Sequence, residues 1–389
     1  MKPTGFIKKW LKNNQAVFGF IFKVFVFWQL ALAAVIALGA RYFPTTGAYL
    51  YSEKKVVNPV WLWNRANFDG IHYLEIARKG YGLYQQAFFP LYPSLIRLLT
   101  FCFGRRDLLA GLSISWIFLV LALFFFYKLV KLEGKDELAR RAIFYLLIFP
   151  TAFFFSMVYS ESLFLFLVLA SFYFARLKRW WLAGVLGGLA SATRLPGIFL
   201  LPALSVEWWQ QKEVGQGRLK ISKLLPLLLI PLGLLGYMRF LQVHYQDPLM
   251  FLHVQPYFGA GRTGGKIVLL YQVFWRYLKM LITVEKGTPT YFVCCLEFFT
   301  GTLFLLLTVF VYQKRWFSYF TFIALAYLTP TLTGTFSSLP RYVLILFPGF
   351  ILLACWAERY RWVKVLYPLI ALPLLIVSLL FYSRGYWLA

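Results

Sequence analysis

The feature that most constrains this chain is the recurrence of apolar runs long enough, or nearly long enough, to cross a lipid bilayer. A helix rising about 1.5 Å per residue needs about 20 apolar residues to traverse some 30 Å of hydrocarbon. Candidate runs are Ala16–Ala40, Leu108–Val130, Ala142–Val158, Leu163–Leu177, Trp181–Ala192, Leu195–Val206, Leu224–Val243, Pro289–Tyr312, Phe317–Phe336, Tyr342–Ala357 and Val363–Tyr382, with Phe88–Phe103 a shorter run broken by proline. They are continuously apolar rather than alternating, which argues for helices and against a barrel. Of the 389 residues, 61% are hydrophobic and 14% charged. A soluble domain carries about 25% charged residues, so a soluble fold is excluded. The expectation is an all-α polytopic membrane protein, one integral domain over residues 1–389, with about eleven or twelve membrane helices or half-helices.

Forty Lys and Arg against fourteen Asp and Glu give a formal net charge of +26. In a soluble protein this would suggest nucleic acid. Here the positions matter more than the sum. The cations cluster at Lys2–Lys12, Lys128–Arg141, Lys178–Arg179, Lys212–Lys223, Lys314–Arg315 and Arg359–Lys364. Basic residues in short loops stay cytoplasmic, so the N-terminus is expected to be cytoplasmic, and no nucleic-acid partner is expected. The opposite face then receives a first outer loop (41–87), the Tyr159–Ser162 turn, the Thr193-Arg194 break, a second large outer loop (244–287) and Ser337–Arg341. Most isolated acids and polar residues gather there. This parity holds if Phe88–Phe103, with Pro90 and Pro93, is re-entrant rather than spanning. The first apolar run exceeds the roughly 7–15 residues of a signal peptide and is read as a retained helix. Cys102, Cys294, Cys295 and Cys355 lie in or beside apolar runs and are read as small buried hydrophobes.

The first outer loop carries the densest polar signal. As a helix, the stretch Trp63–Ala77 puts Asp69, His72, Tyr73 and Ile76 on one face by i, i+3, i+4 and i+7 spacing. Gly80 ends the helix, and Trp61 and Trp63 suit the interface. Asp69 fits either a helix cap or a general base accepting a proton from a hydroxyl. Glu161 fits a cap or a site residue. Arg194 interrupts an apolar segment and fits an ion pair, with Glu161 as the candidate partner, or a phosphate ligand. Arg341 fits a snorkelling cation or a second phosphate ligand. His244, Asp247, His253, Gln255 and Arg262 form a second polar group, although Asp247-Pro248 also fits an ordinary turn.

These motifs resemble a family. Asn67-Phe68-Asp69-Gly70-Ile71-His72-Tyr73-Leu74-Glu75-Ile76-Ala77-Arg78-Lys79-Gly80-Tyr81 is similar to the first-loop signature of PIG-V-type mannosyltransferases. Phe88–Pro93, Tyr159–Phe164, Ala192–Gly197, Asp247–Leu249, Arg341-Tyr342 and Phe347-Pro348 follow in the same order. Phe68 stands where the family usually has Trp. The resemblance implies a GT-C fold, a polyprenyl- or dolichyl-phosphate sugar as donor, a lipid- or glycan-linked acceptor, inversion at the anomeric carbon, and an acid in the first outer loop as catalyst.

On that basis Asp69 is expected to deprotonate an acceptor hydroxyl on the extracytoplasmic or lumenal face. Arg194 and Arg341 are expected to hold the departing lipid phosphate, with His72 and Tyr73 orienting substrate. Glu161, Asp247, Gln255 and Arg262 complete the expected binding set, and Tyr81, Tyr84 and Tyr257 are candidate contacts for sugar or prenyl chain. No metal or other cofactor is expected, because no cluster has metal-ligand spacing. The competing classes are a lipid-linked glycan ligase or polymerase and a lipid or solute transporter.

Overall fold

The computed structural model describes residues 3–46, 60–214, 221–259, 261–263 and 266–388. Residues 47–59 of the first outer loop, 260, 264 and 265 of the second, and 215–220 of the Lys212–Lys223 cluster lie outside that set, as do residues 1–2. Among the described residues the chain is helical and holds no strand.

A long helix α1 (Pro3–Tyr42) is followed by short α2 (Val60–Trp63), α3 (Asp69–Lys79) and α4 (Leu91–Thr100). Then come α5 (Asp107–Lys131), α6 (Asp136–Leu147), α7 (Glu161–Arg176), α8 (Trp180–Ser191), α9 (Leu200–Val214) and α10 (Ile230–Tyr245). The rest are α11 (Met250–His253), α12 (Leu270–Thr283), α13 (Pro289–Gln313), α14 (Phe317–Thr331), α15 (Leu339–Tyr342), α16 (Phe347–Arg359) and α17 (Arg361–Ser383). The protein is an all-α polytopic membrane protein.

Among the described residues five helical segments are long and apolar enough to span: Asn14–Tyr42, Asp107–Lys131, Leu224–Tyr245, Pro289–Gln313 and Arg361–Ser383. A sixth arises if Leu339–Ile345 and Phe347–Arg359, bent by 80°, count as one broken span. This is fewer than the apolar runs suggested, and the reason is physical. Several runs are cut by backbone breaks and buried in protein rather than stretched across lipid. The Ala142–Val158 run stops as helix at Leu147, before Pro150, and continues as the 3-10 turn Ala152–Ser156. A segment buried in protein can break its ladder in this way, whereas one facing lipid cannot. In the spans Asp107–Lys131 and Pro289–Gln313 about half of the most apolar stretch is buried (56% and 50%), while in Asn14–Tyr42, Leu224–Tyr245 and Arg361–Ser383 22–28% is, as expected of helices that face lipid.

The termini of these helices sort to two ends. At one end Glu133, just past α5, and Glu207 of α9 both bind Arg176 of α7, at 3.2 and 2.8 Å. Tyr319 of α14 donates to Glu133 at 2.6 Å, and Ser318 donates to Glu207 at 2.7 Å. At the other end lie the first turns of α3, α5 and α7 and the break after α8. Arg78 of α3 is ion-paired with Asp107 of α5. The stretch between them therefore returns to the end it leaves. Leu91–Phe103, its only apolar helical segment, is too short to cross.

Candidate active site

Asp69 opens α3 from a pinned corner. Phe68 before it has φ +56°, a conformation a side chain adopts only when its surroundings impose it. The surroundings do so here. The Phe68 ring packs against Tyr382 and Trp387 at 5.6 and 5.7 Å. The Tyr159 and Tyr382 hydroxyls both donate to the Asn67 carbonyl, at 3.0 and 3.2 Å. Arg341 comes from a similar corner, since Ser338 at φ +63° launches α15. Glu161 is the first residue of α7. Carboxylates at helix N-termini are favoured by the helix dipole. Arg194 sits where α8 ends and the turn Leu195–Phe199 begins. That turn folds back on α8 because Gly197 has no side chain; a methyl there would lie 2.3 Å from the Ala190 and Ser191 backbone.

These four residues form one alternating line of charge. Arg341 Nη1 lies 2.5 Å from Asp69 Oδ2. Its Nε lies 3.6 Å from Glu161 Oε1, which also receives Arg194 Nη1 at 2.6 Å. Glu161 is 2% exposed and Asp69 18%, so the carboxylate still reachable by a ligand is Asp69. Aromatic faces sheathe the cations: Tyr342 lies 5.4 Å from Arg194 and 5.3 Å from Arg341, and Tyr159 lies 5.3 Å from Arg341. Tyr73, one turn after Asp69, shares a 2.9 Å hydrogen bond with Ser160. Burial pushes its phenol above the usual tyrosine range, so it stays neutral.

The line of charge forms one wall of a cavity of about 210 Å³. Tyr73, Gln255 and Arg262 add polar atoms, and Phe88, Phe89, Phe251 and Phe258 supply an apolar wall. Arg262 donates to Ser338 Oγ at 3.0 Å, to the Ser337 carbonyl at 3.4 Å and to Gln255 Oε1 at 3.4 Å. Those acceptors are neutral, and among the described residues no carboxylate pairs with Arg262. Three guanidiniums thus face two carboxylates, leaving the cavity with an excess positive charge centred on Arg262. Among the described residues no three His, Cys, Asp or Glu side chains meet as metal ligands would.

Asp69, Tyr73, Glu161, Arg194, Gln255, Arg262 and Arg341 therefore converge. His72 and Asp247 do not line the cavity. His72 stacks on Phe88 at 5.2 Å and meets Gln85 at 3.3 Å, behind the cavity wall. Asp247 caps Leu249 N at 3.0 Å and pairs with His253 at 2.7 Å in a turn, its bland alternative. Of the candidate aromatics, Tyr81 packs on Tyr237, while Tyr84 and Tyr257 stack on each other at 4.3 Å. Trp61 is exposed, but Trp63 is buried and is no interfacial anchor. Sequence reading missed Ser338 and Trp387 in the cavity wall and Glu297 behind it. Glu297 had one signal, an acid inside an apolar run; Trp387 had none.

The comparison with known families gives the class of enzyme. The protein is a membrane glycosyltransferase. Residues 21–206, just under half of the chain, match the model of the family described as mannosyltransferase (PIG-V); the matched stretch carries the motifs from Asn67 to Gly197 and covers Asp69, Tyr73, Glu161 and Arg194. Arg262 and Arg341 lie beyond the matched stretch. No curated protein matches the chain.

Proposed function

We propose that this protein is an inverting GT-C mannosyltransferase that takes mannose from a polyprenyl- or dolichyl-phosphate donor and passes it to a lipid- or glycan-linked hydroxyl. The observation that carries the reading is the partly exposed Asp69 carboxylate beside a cavity with excess cationic charge. Asp69 Oδ2 is held by Arg341, which leaves Oδ1 to accept the proton. The acceptor oxygen bonds to the anomeric carbon as its proton passes to Asp69. The bond from that carbon to the phosphate oxygen breaks on the opposite side, and its electron pair stays on the phosphate. Growing negative charge there is best met by preorganised donors. Arg262, whose partners are neutral, is the main phosphate ligand. Arg194 and Arg341 act more as the frame that orients Asp69, each being matched by a carboxylate. The arginines supply the counter-charge, so no metal is required. The phenylalanine wall suits the first isoprene units.

The basic clusters at Lys128–Arg141, Lys178–Arg179, Lys314–Arg315 and Arg359–Lys364 belong to loops at the end away from this cavity. The positive-inside rule then makes that end cytoplasmic, with the N-terminus, and makes the cavity extracytoplasmic or lumenal. The test is incubation of the purified protein with a panel of lipid-phosphate sugars, scoring lipid phosphate released. Release from the mannose donor supports the reading; no release from any donor refutes it.

A further inference from the structure

Phe68 and Asp69 are adjacent in sequence but face different spaces. Asp69 lines the arginine cavity, whereas Phe68 lines a second one of about 570 Å³, between α12, the start of α13 and the C-terminal segment. Ser337 and Trp387 line both, so the two cavities share a wall, and Asp69 lines the first. The second cavity has its own polar floor. Glu297, 4% exposed, accepts from Tyr277 Oη at 2.7 Å and from Ser338 N at 3.2 Å, and Arg276 also faces the space. Phe68, Tyr386 and Trp387 supply aromatic faces. The outer side of α12 exposes Trp275 and Ile282, as a helix against lipid would.

We infer that this second cavity is the acceptor subsite and that its occupant is a lipid-borne sugar headgroup. The inference rests on the proposed function. Aromatic faces match the C–H faces of a sugar ring, and a buried carboxylate, a phenol and a guanidinium match its hydroxyls. A sugar seated here presents a hydroxyl past Trp387 toward Asp69, on the side away from the phosphate cavity. Inversion requires that separation of nucleophile and leaving group.

The experiment uses the purified full chain, radiolabelled polyprenyl-phosphate mannose and a total lipid extract of its native membranes as acceptor. Thr290, an exposed residue at the cavity wall, is replaced to obstruct it (Thr290→Trp). Glu297→Gln provides an isosteric second variant, and thermal unfolding checks both. The expected result is a fall in mannolipid formation of about tenfold or more, a loss of at least ~1.4 kcal/mol in acceptor recognition, with the donor KM changed less than about twofold. Transfer at the wild-type rate in folded Thr290→Trp overturns the inference, as does a donor KM that rises in step with the lost transfer. Wild-type protein that consumes no donor refutes the proposed function instead.

Discussion

Replacing Arg262 and Arg194 in parallel separates the two roles that the arginines take in this site. Arg262 donates to neutral acceptors at 3.0–3.4 Å. Its loss in Arg262→Gln breaks no direct ion pair with a carboxylate among the described residues, and the fold should lose about 1 kcal/mol or less. The same loss removes a charge-assisted contact to phosphate, worth about 1.5–3 kcal/mol, or about 10- to 150-fold in donor KM. Arg194→Gln is the converse. It takes the 2.6 Å partner from Glu161, which is 2% exposed. Breaking a buried pair by removing one member costs about 3–5 kcal/mol, although the 3.6 Å contact with Arg341 softens this. Donor titrations and unfolding of both variants in the same detergent make a crossed test. Arg262→Gln should lose donor affinity at a nearly unchanged melting temperature, and Arg194→Gln should melt earlier. The reverse pattern would refute the division of roles.

Other consequences follow at sites of known geometry. Asp247→Asn should change transfer less than about twofold and stability by about 0.5 kcal/mol, because the Asp247–His253 pair is a solvent-side turn contact; kinetics and melting check both. Glu207→Gln, at the opposite end, weakens the hub joining Arg176, Ser318 and Gln211. It should lower the melting temperature strongly and leave donor KM unchanged. Chelation with EDTA should leave lipid-phosphate release at the untreated rate; a loss restored by a divalent ion would contradict the arginine counter-charge.

The helical, membrane-embedded class was legible in the sequence because bilayer thickness imposes a length that composition alone must meet. The number of spans was not, since apolarity cannot tell a helix facing lipid from a short one buried among helices. Ala142–Val158 shows this: its apolar residues are largely core, divided between α6 and a 3-10 turn. Helical spacing found Asp69 and Tyr73, four residues and just over one turn apart. The same spacing over-read His72, which three residues turn to the other flank, toward Phe88. Glu161 and Arg194 are 33 residues apart, and their candidate pairing was readable because each interrupts an apolar stretch on the same face. The Arg341–Asp69 contact, 272 residues apart, was not, for no local pattern encodes it. Glu297 likewise finds Ser338 only in the folded chain.

The central claim is that Asp69 removes the acceptor proton. Its most direct measurement compares wild-type protein with Asp69→Asn for mannose transfer from polyprenyl-phosphate mannose, alongside melting temperature and donor KM. Loss of a general base costs about 10²- to 10⁴-fold in rate. The expected result is a turnover reduced by that factor in a folded variant that still binds donor. Transfer by folded Asp69→Asn at the wild-type rate would contradict the account.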